Sequence, residues 1–294
     1  MIIGLTMMIS PGYVGLAVGL LSLIAASIFD VKTREVPDWL NFSLLAYALA
    51  SAVILSIYHG YSHIIFDSLL GLAAGLVIGL AMFYSGQWGG GDAKLIIALS
   101  ALIGISFSEL GKEVPLLFIF IINILLVGAL YGLGFSLVKA FRNYHAFKEA
   151  AEKKLRSKGI LIVRVIIFVL GIAAFIFFIA TKSLEAGLLF GMIMCFFFFF
   201  YLWVFVSAVE KSCMVKEVKT KDITEGDWIV GEVVKDRKII LKPSKIGVTL
   251  KEIALLKKNN IREVSVKIGI PFVPSFLIAY VLTFALGNWI ALFL

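Results

Sequence analysis

Long apolar runs separated by short polar stretches fill most of the chain. Runs at roughly 12–29, 40–58, 65–85, 93–109, 115–138, 160–181, 185–208 and 271–293 each read as a membrane span, for which about 20 apolar residues suffice. The fourth is the shortest and suits a tilted or partly protein-buried helix. Between 209 and 269 the pattern changes to one dense in charge and too polar for lipid. There, 228–234 and 237–242 are rich in Ile and Val around the turn-like Lys235-Asp236, which predicts a hairpin. Thr249 followed by Glu252 predicts a helix start, with Leu250, Ile253 and Leu256 as its apolar stripe. Residues 262–267 alternate like a strand. The predicted architecture is a polytopic α-helical membrane protein with about eight transmembrane helices and a small cytosolic α+β domain before the last. Its parts are a transmembrane domain over 1–208, the α+β domain over 209–269, and a C-terminal transmembrane helix over 270–294. Pro271 and Pro274 fix the angle at which the chain re-enters the membrane. The Ala/Lys-rich stretch 139–159 reads either as an amphipathic helix on anionic lipid or as an extension of the fifth span.

Composition agrees with that pattern. The 294 residues are 61% hydrophobic with a mean hydropathy of +1.03, which leaves too little polar surface for a soluble globular fold. The net charge of +8 sits in loops beside apolar runs, as topology control requires, so the expected partner is the lipid bilayer and not nucleic acid. With the N-terminus outside, 25 of the 27 Lys and Arg residues fall on one face, taken as cytoplasmic, and only Lys112 and Lys182 on the other. The first cations, Lys32 and Arg34, follow the first apolar run, so that run is read as a retained helix and not a signal peptide. Cys195 and Cys213 form no CxxC pair, and His59, His63 and His145 show no metal spacing. Neither a metal nor another cofactor is expected.

The candidate chemistry lies at two aspartates, both on the cytoplasmic face in this orientation. Gly89-Gly90-Gly91-Asp92 joins two apolar runs, and Asp30 ends an earlier one. A carboxylate at a membrane edge is expensive and marks function by default. Glycine lets a backbone approach closely, so Gly89, Gly90 and Gly91 are candidates to bind an extended substrate. Asp92 also suits a helix N-cap, and the two roles are compatible. Asp38, which follows Pro37, competes with Asp30 for the catalytic role but fits a cap for the second span. Lys94 is a candidate to favour the charged form of Asp92, or is a topology anchor. Gly71, Gly75 and Gly79 recur every four residues and predict a tight helix contact. The Phe196–Phe200 run reads as lipid-facing or packing bulk.

The stretches Asp30–Asp38, of the form D-x5-[IV]-P-[ND], and Gly89-Gly90-Gly91-Asp92-Ala93-Lys94 resemble the GxGD membrane aspartyl proteases. More narrowly, they resemble the archaeal type IV prepilin and preflagellin (prearchaellin) peptidases. The resemblance is best over the first 110 residues, and the first six spans fit that family's membrane core, with the remaining spans as extras. It implies that Asp30 and Asp92 are the catalytic pair of an aspartic endopeptidase. Two carboxylates near one another share a proton, one activating water while the other polarises the scissile carbonyl. The implied partner is a prepilin-like or prearchaellin precursor, cut on the cytoplasmic side between its short basic leader and its apolar helix. Glu35 and Asp38 are candidates to meet the leader's cations. The cytosolic zinc-binding region of bacterial members does not appear, so methyltransferase activity is not expected. Three alternatives stand beside this reading: a presenilin-like intramembrane protease, a proton- or cation-coupled transporter, and a signalling protein acting through 209–269.

Overall fold

The computed structural model describes residues 12–106, 114–235, 238–244 and 247–289. Its helices in chain order are α1 (Gly12–Thr33), α2 (Asp38–His59), α3 (His63–Tyr84), α4 (Gly90–Ile103), α5 (Leu116–Arg142), α6 (Tyr144–Leu155), α7 (Lys158–Thr181) and α8 (Leu184–Cys213). After five short strands and α9 (Leu250–Lys258), α10 (Val273–Leu286) follows. Six of these, α1, α2, α3, α5, α7 and α8, are long and apolar enough to cross a membrane, so the fold is that of a polytopic helical membrane protein. The other two expected spans, α4 and α10, are each 14 residues, about 21 Å long, against a hydrocarbon core of about 30 Å. The ends of both expected runs, at 107–109 and 290–293, lie outside the described residues.

The chain forms two compact units. The first comprises residues 1–132, 218–264 and 269–294. Its core is built around α4, where Ala93, Leu95, Ile96, Ala98, Leu99, Ser100 and Ala101 are buried. A helix covered by protein on most of its surface has no need to match the bilayer thickness, which accounts for α4's short length. The glycine stripe of α3 is the device that admits it. Gly71, Gly75 and Gly79 are all buried, and a Cβ on Gly71 would lie 2.2 Å from the Ser100 carbonyl oxygen. On Gly75 it would lie 2.6 Å from the Ser100 Cβ.

The same unit corrects one sequence expectation. The helix that joins α1–α5 in this core is α10, and not the sixth apolar run in chain order. Val273, Phe276, Ala279 and Tyr280 of α10 are buried in the same cluster as Leu23 and Ala26 of α1 and Phe120 and Ile124 of α5. Polar side chains fix the fit. The Tyr280 hydroxyl donates to the Leu16 carbonyl at 3.2 Å, and Asn123 Nδ2 donates to Thr283 Oγ1 at 2.9 Å. Most of residues 133–268 is therefore an insertion between two helices of one core.

The second unit comprises residues 133–217 and 265–268. Asn143 interrupts the helix after α5, so α6 is a separate 12-residue helix and not a continuation of the fifth span. It packs on α8, with Lys154 Nζ 3.7 Å above the centre of the Trp203 ring and Phe147 beside Phe205 at 5.4 Å. The outer faces of α7 and α8 expose Phe168, Phe196, Phe198 and Phe199, the surface a lipid-facing helix presents.

The polar stretch follows its sequence pattern in part. Strands β1 (Val215–Lys219), β5 (Glu263–Lys267) and β2 (Trp228–Ile229) form one sheet in the order β1–β5–β2. A hairpin pairs β3 (Val233–Lys235) with β4 (Lys238–Leu241), in the register Val233↔Leu241 and Lys235↔Lys238 with an irregularity between Val233 and Val234. The expected first arm of the hairpin is thus split, and β2 pairs with β5 instead. The α9 cap is as expected: Thr249 Oγ1 accepts from the Glu252 N–H, and Glu252 Oε2 accepts from the Thr249 N–H. Ile253 and Leu256 are buried beneath it, while Leu250 is exposed.

Because Ser100 O is a fixed backbone atom, Gly71→Ala is expected to destabilise the protein by about 1–3 kcal/mol through overpacking. Gly134→Ala, where a Cβ meets nothing within 4 Å, is expected to be neutral or slightly stabilising. Thermal unfolding in detergent measures both, and equal effects at the two positions would contradict the α3–α4 packing.

Candidate active site

Asp30 sits in the last turn of α1 and is buried, 5% exposed. A buried carboxylate needs donors, and this one finds the N-terminus of α10. Its Oδ2 accepts from the Val273 N–H at 2.9 Å. Val273 is the first residue of that helix, where unpaired amides and the helix dipole both favour negative charge. The helix that presents Asp30 ends at Thr33, whose hydroxyl donates to the Phe29 carbonyl at 2.9 Å. Arg34 then takes a left-handed backbone, φ 63°. Its N–H still bonds the Asp30 carbonyl at 2.9 Å, and its Nη1 donates to the Gly269 carbonyl at 2.8 Å.

Asp92 is the third residue of α4, with Gly89 in the cap position. Its Oδ2 accepts from the Gly89 N–H at 3.2 Å. The capping role open in the sequence is thus filled, from inside the helix and not from its cap position. Asp92 is partly exposed and lies within electrostatic range of Asp30. The two carboxylates are 62 positions apart in sequence.

The three glycines have separate roles. Gly89 is exposed and remains open to an approaching chain. At Gly91 the close approach is taken by the protein itself, because a Cβ there would lie 3.1 Å from the Val36 nitrogen and 3.3 Å from its oxygen. Gly91 therefore joins the two motifs and is not free for a substrate backbone. Gly90 has only the Phe83 ring nearby, at 3.7 Å. Asn41, buried one turn into α2, holds the junction from the other side by donating to the Gly91 carbonyl at 3.3 Å.

Lys94 does not serve Asp92. Its ammonium lies 2.6 Å from Asp38 Oδ1, both side chains being about half exposed. Residues two apart on a helix point to different faces, so Asp92 and Lys94 turn away from each other. Asp38 is the first residue of α2, after Pro37 in the cap position, so it is not the N-cap the sequence predicted; it ties α2 to α4. Glu35 is exposed on the loop, where its Oε1 accepts from the Thr224 hydroxyl at 3.4 Å.

Three contributors escaped the sequence reading. Trp88, 4% exposed, anchors the glycine run by packing on Phe276 at 5.2 Å and Phe272 at 6.4 Å. Phe272 also fills the space over Gly128, where a Cβ would lie 2.3 Å from its ring. The third is the Val273 amide. The Gly269–Pro274 run was the available signal for Phe272 and Val273. Among the described residues, no three His, Cys, Asp or Glu side chains converge as a metal site would require.

A double-mutant cycle on Lys94→Met and Asp38→Asn is expected to give a coupling of up to about 1 kcal/mol, the range of exposed pairs. The same cycle on Lys94→Met and Asp92→Asn is expected to give none. A larger coupling in the second cycle would restore the electrostatic link between Lys94 and Asp92.

Residues 17–133 match the type IV leader peptidase family, a segment that contains both aspartate motifs. Preflagellin peptidases are among the similar proteins. That of Methanocaldococcus jannaschii is 39% identical over 93 residues, covering 29% of this chain and 36% of the relative. That of Methanococcus maripaludis is 36% identical over 86 residues, covering 29% and 37%. That of Methanococcus voltae is 36% identical over 87 residues, covering 30% and 37%. The match thus spans little more than a third of the length of these relatives.

Proposed function

Taking residues 17–133 as a type IV leader peptidase domain, we propose that the chain is a membrane aspartic endopeptidase. Its substrate is a prearchaellin or prepilin-like precursor, and it removes the short basic leader at the cytoplasmic membrane face. One observation carries this reading: the family match covers Asp30 and Asp92 together, and the fold holds these two carboxylates within electrostatic range. Water placed between them loses a proton to one carboxylate while the other donates to the carbonyl oxygen of the scissile peptide. The tetrahedral intermediate then collapses: the carboxyl that took the water proton gives it to the leaving nitrogen as the C–N bond breaks, the other carboxylate recovers its proton from the intermediate's hydroxyl, and no covalent enzyme intermediate is formed.

The surroundings fit a peptide that arrives extended and basic. Gly89 is exposed on the loop before α4, and Glu35 is exposed on the loop after α1. Asp38 is already engaged by Lys94, so Glu35 is the stronger partner for a leader cation. The cytoplasmic location follows from the bias of Lys and Arg to one face.

Cleavage of a prearchaellin with a basic leader, assayed in membranes, tests the proposal. Asp30→Asn and Asp92→Asn are each expected to lower the rate by about 10²-fold or more, with normal accumulation and membrane insertion. Robust cleavage by either variant would overturn the pair assignment.

A further inference from the structure

One basic side chain is built into the site without belonging to the carboxylate pair. Arg34 follows Asp30 by four residues and lies just past the end of α1. The position closes the C-terminus of α1 with a left-handed backbone, φ 63°, a conformation that ordinarily selects glycine or asparagine. An arginine at such a position points to a task for its side chain. That side chain reaches Gly269, donating to its carbonyl at 2.8 Å. Gly269 is where the inserted stretch returns to the first unit, and Val273, four residues later, gives its N–H to Asp30. The turn between them contains Pro271, and Pro274 follows. Neither proline has an amide to offer, so the donors at this helix start are few and their aim depends on how the turn is held.

We propose that Arg34 is a positioning residue. By clamping the Gly269 carbonyl, it holds the 269–273 turn so that the Val273 amide stays aimed at the Asp30 carboxylate. The inference rests on the reading of Asp30 as catalytic. The guanidinium suits this task better than an ammonium would, because its donors form a planar fork of fixed geometry. The charged and titratable groups that act on this corner are Arg34 itself, Asp92 from α4 and Tyr131 from α5. Of these, only Arg34 also binds the turn that carries the Val273 amide.

The test uses the full-length protein with Arg34→Gly and Arg34→Lys, read by steady-state cleavage of a prearchaellin and by hydrogen exchange at the Val273 amide. Arg34→Gly relaxes the left-handed backbone and removes the clamp together with its charge, whereas Arg34→Lys keeps the charge and loses the fork. It is expected to lower kcat about 10-fold or more, as a small misplacement of a reacting group does, with KM little changed and thermal stability maintained. Arg34→Lys is expected to recover part of kcat, and Val273 exchange is expected to quicken in the glycine variant. A wild-type kcat in Arg34→Gly, or a loss confined to KM, would overturn the proposal. If the glycine variant fails to accumulate, unchanged Val273 exchange in Arg34→Lys would overturn it. Asp30→Asn measured alongside separates the two failures. Cleavage by Asp30→Asn sinks the catalytic reading, whereas an inactive Asp30→Asn beside a fully active Arg34→Gly sinks only the clamp.

Discussion

A carboxylate buried to 5% exposure at the end of a membrane helix must be given donors or it will not be tolerated there. In this protein the first amide of α10 is one such donor, and much of the first unit follows from that bond. It draws the start of α10 against the end of α1. Trp88, packed on Phe272 and Phe276, then fixes the start of the glycine run to the same turn. Phe272 in turn sits over Gly128 of α5. Three helices that are distant in sequence thus converge on one short segment.

Small residues make that convergence possible. The stripe on α3 lets α4 sink into the core, and Gly91 lets the α4 entrance press against Val36. The Gly89–Asp92 motif is therefore packed against Val36 at Gly91 and exposed at Gly89.

The sequence disclosed the spans, the charge bias, the two motifs and the glycine stripe, because each is written in local composition or spacing. It did not disclose which apolar run joins the core. Hydropathy cannot distinguish a helix bathed in lipid from one covered by protein, so it could not tell that α4 and α10 belong to this core and α7 and α8 do not. Chain order also misled, since α7 and α8 precede α10 in sequence but belong to the second unit. Lys94 was read as a candidate partner of Asp92 or a topology anchor, and its ammonium instead meets Asp38, a residue 56 positions away. The capping box of α9 was legible because both of its members lie within one turn. The Val273 amide was not, because a backbone donor has no signature beyond the prolines around it.

The central structural claim is that α10 closes the core beside α5 and thereby holds Asp30. Paired cysteines at Asn123 and Thr283, whose side chains are hydrogen-bonded at 2.9 Å, test it most directly. With Cys195 and Cys213 replaced by serine, a short thiol cross-linker applied to membranes should join the two positions within one chain. The cross-linked protein should still cleave a prearchaellin. Failure of the cross-link to form while the variant remains active would contradict the placement of α10, and with it the origin of the Asp30 hydrogen bond.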